Sequence, residues 1–392
     1  METRMRYLLN QTRRDFLKAM SAGTATVPFH ATGLPCMARA AESAEPEKRI
    51  VHQPRVVSVR DLGLQFLDNP LHITGQDGAT STLLPNGASF WMFGDTIEGP
   101  FESIRNYDLS EVLSNTASIV PVQGVSQGIC DFGYLTSTDG QRARQVIEFD
   151  ADEDRTRHRL WPMHSVCVGA HIYAFYHKIT MKPGVDVFES FDLNGMGIAK
   201  ARIDEWRFER LTAPDGTREF WKGDQPGFGV FIEKLADGYL YFWGCYWTGM
   251  FLARSRPESI EDLSSYEYLV QAPSLANPDT ATVWNKTFEP SAVLFDSVPN
   301  ELSASYNPYL NKHLAIHVLN RENKLALRTA QRITGPWSAP EIFFQPSRKS
   351  AEDLFTAAKE HPELRREHGK LLYITYVNSS VYAPHLLEVR LA

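Results

Sequence analysis

Acids, histidines and tryptophans gather close to a set of aromatic-rich hairpins in this chain. Asp77 sits in Thr74-Gly75-Gln76-Asp77-Gly78, His164 in Trp161-Pro162-Met163-His164, and Asp224 in Trp221-Lys222-Gly223-Asp224-Gln225. Glu301 opens Glu301-Leu302-Ser303, and Glu363 closes His361-Pro362-Glu363. Two carboxyl groups facing one another across a sugar, with aromatic rings to hold it, are what hydrolysis of a glycosidic bond requires. One protonates the departing oxygen, and the other acts as base or nucleophile. On this reading Asp77 is base or nucleophile and Glu301 the general acid, with Glu363 or Asp224 positioning or tuning them. His361, His164, Trp161 and Trp221 are candidates for holding the substrate. Asp95, in Phe93-Gly94-Asp95-Thr96, follows a hairpin and fits a structural hydrogen-bonding role as well as a place in the site. Any single Asp beside a Gly also fits a turn cap, so the set carries more weight than its members.

Something must bring these distant residues together, and the hairpins are suited to it. Their turns fall at Pro85-Asn86-Gly87, Gly169-Ala170-His171, Ala236-Asp237-Gly238, Leu310-Asn311-Lys312 and Glu367-His368-Gly369, about 58 to 82 residues apart. Each leads into a run such as Phe90-Trp91-Met92-Phe93 or Tyr239-Leu240-Tyr241-Phe242-Trp243 that is apolar at nearly every position. A sheet with one wet face alternates polar and apolar residues, whereas uninterrupted apolar runs belong to strands covered on both faces. Five such units at a loose repeat predict an all-β, five-bladed β-propeller. Two adjacent β domains are the competing arrangement. Third strands are expected at residues 116–120, 197–201, 251–254 and 324–328. Isolated strands at Val56–Phe66 and Leu386–Leu391 are suited to closing the ring from both chain ends, which removes an open sheet edge. A helix is expected over Ala351–His361, where Ser350 could cap and Glu352 and Asp353 suit the helix dipole. A short helical turn is expected over Ser259–Leu263.

The N-terminal residues carry a different message. Thr12-Arg13-Arg14-Asp15-Phe16-Leu17-Lys18 matches the twin-arginine export pattern at every position, and Ala38-Arg39-Ala40 has the form of a cleavage site. Residues 1–40 therefore read as a twin-arginine signal peptide, 41–54 as a linker and 55–392 as the propeller. The expected partners are the twin-arginine export machinery and a carbohydrate substrate, and the expected location is periplasmic or extracellular. The apolar part of the leader is interrupted by Thr, Pro and His and is too weak for a stable membrane anchor. Net charge is −7, with no basic block after the leader, which argues against nucleic acid. Downstream of the leader stand three cysteines, Cys130, Cys167 and Cys245. An odd number does not suit a disulfide framework, and Cys167 and Cys245 read as buried thiols. There is no CxxC, HExxH, P-loop or G-x-S-x-G pattern, so the sequence calls for no metal or other cofactor.

Five motifs carry a family resemblance. T-G-Q-D-G at 74–78, W-M-F-G-D-T at 91–96, E-L-S-A-S-Y-N at 301–307, T-G-P-W-S at 334–338 and H-P-E-L at 361–364 resemble the domain of unknown function 4185. They follow that family's order and cover nearly all of the chain after the leader. The family is similar to five-bladed propeller glycoside hydrolases of the arabinanase and xylosidase type, and some members are classed as endo-D-arabinofuranosidases in glycoside hydrolase family 183. The resemblance implies a carbohydrate-active enzyme, with arabinofuranosyl linkages as one target. It places Asp77 at the first-blade acid of related propeller hydrolases and makes Glu301 and Glu363 candidate partners. The sialidase Asp box, S-x-D-x-G-x-T-W, is absent. A carbohydrate-binding propeller without catalysis, or an interaction propeller with an exposed apolar rim, is the alternative reading.

Overall fold

The computed structural model describes residues 55–101, 108–122, 124–182, 191–319, 322–350 and 353–392. The expectations for the leader and most of the linker lie outside the described residues. The described chain is nearly all strand. It forms five antiparallel sheets, one per blade of a five-bladed propeller, together with one small two-stranded ladder.

Blade one contains Thr80–Leu83, Ala88–Phe93, Thr116–Pro121 and Gly133–Tyr134. Blade two is built on His158–Val168, His171–Met181 and Phe191–Arg202, with Glu209–Arg210 and Glu219–Lys222 on its outside. Blade three runs from Gly227–Lys234 through Leu240–Tyr246, Gly249–Ser255 and Glu267–Gln271 to Val283–Asn285. Blade four holds Leu302–Asn307, Lys312–Leu319, Lys324–Ala330 and Glu341–Phe344. Blade five holds Phe355–Glu360, Leu371–Asn378 and Pro384–Leu391, and its outermost strand is Val56–Leu64 from the other end of the domain. Val59 pairs with Val389 and Asp61 with Leu387, so both chain ends share one sheet. This closure ties the first blade to the last by backbone hydrogen bonds.

The first strand of each blade is the innermost, and from blade one to blade five each touches the one that follows in the chain. Between blades the covered faces pack as the continuous apolar runs demand. Phe90 stacks on Trp206 at 5.0 Å, and Trp243 meets Trp337 edge-on at 5.4 Å. Trp337, from the Thr-Gly-Pro-Trp-Ser turn, is buried and donates its indole N–H to the Ile333 carbonyl at 3.0 Å.

Three inner strands are not regular. Pairing slips between Pro162 and His164 in blade two, between Phe228 and Phe231 in blade three, and between Thr356 and Lys359 in blade five. Such bulges bend the strand and re-aim the side chains beside them. Gly229 supplies the positive φ that the blade-three bulge needs, but Ala357 holds φ 54° in blade five. A non-glycine residue there is strained.

The helix expected over 351–361 is not formed. Phe355–Glu360 is the inner strand of blade five, paired with Leu371–Asn378. Ala, Lys and Glu favour a helix locally, but the strand pairing and the burial of Phe355 and Ala358 override that preference. The turn expected over 259–263 becomes two 3-10 turns, Pro257–Ser259 and Leu263–Ser265. Cys245 is buried as expected, whereas Cys167 is only partly buried. No described helix is long and apolar enough to cross a membrane.

Candidate active site

Asp77 precedes the inner strand of blade one. The small ladder of Ile73–Gln76 with Thr96–Glu98 fixes its backbone. Gly94 donates its N–H to the Asp77 carbonyl at 2.7 Å, and Asp77 donates its own to the Asp95 carbonyl at 3.2 Å. Gly78 turns the chain at φ +48°, a conformation that favours glycine, and its N–H reaches Asp77 Oδ1 at 2.7 Å. Thr356 from blade five donates its hydroxyl to the same oxygen at 3.4 Å.

Glu301 arrives from blade four, one residue before the inner strand Leu302–Asn307. A side-chain carbon built on Gly78 would lie only 3.8 Å from Glu301 Oε2, so the Asp77 turn and the Glu301 carboxylate are in immediate proximity. Lys359 completes the group. Its ammonium makes a salt bridge to Glu301 Oε2 and points to the Met163 carbonyl at 3.5 Å. The Lys359 side chain is 1% exposed. The bulges in blades two and five lie where this lysine and that carbonyl meet.

Burial pushes the Asp77 carboxyl up to about 7, and the nearby Glu301 charge adds to the effect. Part of Asp77 remains exposed, so this poorly solvated acid is still reachable. Asp95 is buried and is also pushed up by burial. Arg159, whose Nε lies 3.4 Å from Asp95 Oδ1, and then the Trp161 indole favour its charged form. Burial holds His164 down to about 3 and His177 down to about 4, and the Lys359 charge acts in the same direction on both. Both imidazoles are neutral at ordinary pH. Burial, then the Glu301 charge, pushes the Cys245 thiol up to about 12, which keeps it uncharged.

Of the residues singled out in the sequence, the structure brings Asp77, Glu301 and Asp95 together. His164 lies near them, its ring 4.2 Å from that of Phe231, and feels the same lysine. Trp161 stands beside Asp95 and meets Phe191 edge-on at 5.3 Å. Asp224 is exposed in the turn leading into the inner strand of blade three.

Three residues are placed elsewhere. Trp221 is 3% exposed, packed among Phe175, Phe228 and Tyr266, and its N–H goes to the Tyr268 hydroxyl at 3.1 Å. It belongs to the core between blades. His361 is fully buried against Trp91, between the hydroxyls of Ser81 and Thr375. Glu363 accepts a hydrogen bond from Ser89 at 2.5 Å, and Ser81 is also bonded to it. Ser89 pairs with Leu83, at the far end of the strand that Asp77 precedes. His361 still lies in the field of Lys359 and His164. His361 and Glu363 were expected to precede the inner strand of blade five, but they follow it.

Sequence reasoning missed Lys359, Thr356, Arg159 and His177. Lys359 did leave a trace, a lone cation in Phe-Thr-Ala-Ala-Lys-Glu directly before His-Pro. Asn300 also joins the group, its Nδ2 3.4 Å from Glu301 Oε1. His164 Nδ1, His177 Nε2 and Asn300 Oδ1 are buried and find no hydrogen-bond partner among the described residues. No three described His, Cys, Asp or Glu side chains are grouped to hold a metal ion. The arrangement offers one carboxyl that burial pushes up, a second carboxyl held by an ammonium, and neutral donors and acceptors around them.

Among solved structures, the chain is similar to a candidate hydrolase from Bacteroides ovatus ATCC 8483, with TM-score 0.57 and 14% identity over 84% of this chain and 87% of that one. It is also similar to RS223-Beta-xylosidase, with TM-score 0.48 and 11% identity over 85% and 94% of the two chains. A GH43_1 enzyme from Xanthomonas citri gives TM-score 0.47 and 9% identity over 86% and 92%. At these identities the likeness to the Bacteroides ovatus structure speaks to the fold alone. No curated protein sequence matches. The model of the domain of unknown function DUF4185 matches residues 67–387, from the start of blade one to the last strand of blade five, and the chain belongs to that family.

Proposed function

We propose that the axial site hydrolyses glycosidic bonds of a polysaccharide, with arabinofuranosyl linkages as the first to test. One observation carries the reading. Asp77 and Glu301, from blades one and four, converge at the axis in different surroundings: burial pushes the Asp77 carboxyl up, and Glu301 is salt-bridged to Lys359. A pair of carboxyl groups divided in this way is suited to acid and base roles at one bond.

These surroundings favour roles opposite to those given to the two acids from the sequence. Asp77 holds its proton up to about pH 7 and is the general acid. Its proton passes to the departing glycosidic oxygen as the bond to the anomeric carbon breaks. Glu301, salt-bridged to Lys359, is the ionised partner that acts on water or on the anomeric carbon. Water's oxygen ends on the anomeric carbon with one of its protons, and its other proton replaces the one Asp77 gave up. His164 and His177, neutral and with unpartnered ring nitrogens, suit sugar hydroxyls. The protein is taken to act after export, on the strength of its N-terminal pattern.

The test is reducing-end release from arabinan, arabinogalactan, xylan and galactan by purified protein, with Asp77→Asn and Glu301→Gln as controls. Cleavage of one glycan, lost in both variants, supports the reading. Binding without cleavage replaces it with a lectin-like role. Product stereochemistry decides whether Glu301 acts on water or on carbon.

A further inference from the structure

We propose that Lys359 is a positioning residue of the axial site, holding Glu301 as the ionised member of the pair so that Asp77 is left as the proton donor. The inference rests on the hydrolase reading for its catalytic consequence, but not for its electrostatic one.

Lys359 sits where a lysine is costly. Its side chain is 1% exposed on an inner strand otherwise made of small or apolar residues at that level. A buried ammonium must be compensated by an opposite charge, and Glu301 from the neighbouring blade supplies it. The backbone is bent to make this contact. One extra residue is inserted between Thr356 and Lys359, and Ala357 takes a positive φ. The Met163 carbonyl that faces Nζ lies in the opposing blade-two bulge. The next residue, Glu360, serves another surface, holding Arg365 at 2.6 Å. A strained strand that carries a buried cation to one carboxylate is more than core packing requires.

The charges around Lys359 come from every blade. Blade one contributes Asp77, with Asp95 behind it held by Arg159 of blade two. Blade two also contributes His164 and His177. Cys245 of blade three lies beside Glu301 of blade four, and His361 follows Lys359 in blade five. The histidines are neutral and Arg159 is committed to Asp95, so Lys359 is the described cation salt-bridged to Glu301. Without it, two carboxyl groups would compete for one proton and neither role would be fixed.

The experiment follows the carboxyl titrations by 13C NMR of protein labelled at Asp and Glu side-chain carboxyls, assigned with Asp77→Asn and Glu301→Gln. In Lys359→Met the Glu301 titration should rise by at least one pH unit, and the acid limb of any hydrolytic pH profile should rise with it. Lys359→Arg should return both towards wild type. A folded Lys359→Met protein with unchanged titrations overturns the proposal, whatever its activity. If Lys359→Met does not fold, Lys359→Gln provides the second arm. The Glu301 titration should rise in it as well, and no rise in the folded variant overturns the proposal. If wild type cleaves no glycan while the titrations shift as stated, the hydrolase reading fails and the role of Lys359 stands.

Discussion

His361 lies flat against Trp91, their ring centroids 4.1 Å apart, and its two ring nitrogens reach Ser81 at 2.6 Å and Thr375 at 2.8 Å. The histidine thus joins blade five to the inner and second strands of blade one, beside the point where the ring of blades closes. Burial holds its basicity well down, so it acts as a neutral hydrogen-bonding ring. His361→Ala removes a stacked ring and two buried hydrogen bonds, and should cost about 2–4 kcal/mol in urea unfolding. The same change should leave the pH limbs of turnover where they were. Glu363→Gln, in the 3-10 turn after the inner strand of blade five, should keep turnover within about twofold. A loss of orders of magnitude in folded Glu363→Gln protein would return that residue to the active site.

Asp77→Asn should abolish hydrolysis and stabilise the fold at the same time. The folded carboxyl titrates near 7, above its unfolded range. Between about pH 4 and 7 the unfolded chain has released this proton while the folded chain retains it, so wild type loses stability as pH rises through that window. Asn cannot ionise and escapes the loss. The variant should therefore match wild type near pH 4 and exceed it by roughly 1–3 kcal/mol at pH 8. Thermal melts across that range check the sign. Turnover on a confirmed substrate should fall by about 10²–10⁴-fold.

Gly227 is required by its neighbour. A carbon added there would lie 2.7 Å from His177 Nε2, closer than packed atoms approach. Gly227→Ala should cost about 1–3 kcal/mol by forcing the imidazole aside. Because His177 lies in the field of Lys359, the change should also weaken glycan binding in titration calorimetry. A variant that loses stability but binds as wild type would remove His177 from the recognition set.

The export reading rests on Arg13 and Arg14. Replacing both with Lys should leave the protein in the cytoplasm of its host, read by fractionation and immunoblot. Undiminished export would remove that reading.

The five hairpins, their turn residues and the closing strands were legible because they are local. Apolar runs on both sides of Gly- or Asn-bearing turns can hardly be buried except as strands covered on two faces, and the structure forms all five. Asp77 and Glu301 were legible for a related reason, since each stands just ahead of a regular inner strand whose start the sequence marks. Blade five was not. Its inner strand carries Ala-Ala-Lys-Glu, which favours a helix locally, and becomes a strand only because Leu371–Asn378 and the neighbouring blades cover it. That reversal hid Lys359 and drew His361 and Glu363 into the expected site, although they follow the strand. The difference between the two acids' surroundings was also decided by tertiary structure. Only burial at the Asp77 turn, which pushes that carboxyl up, and the ammonium beside Glu301 set them apart.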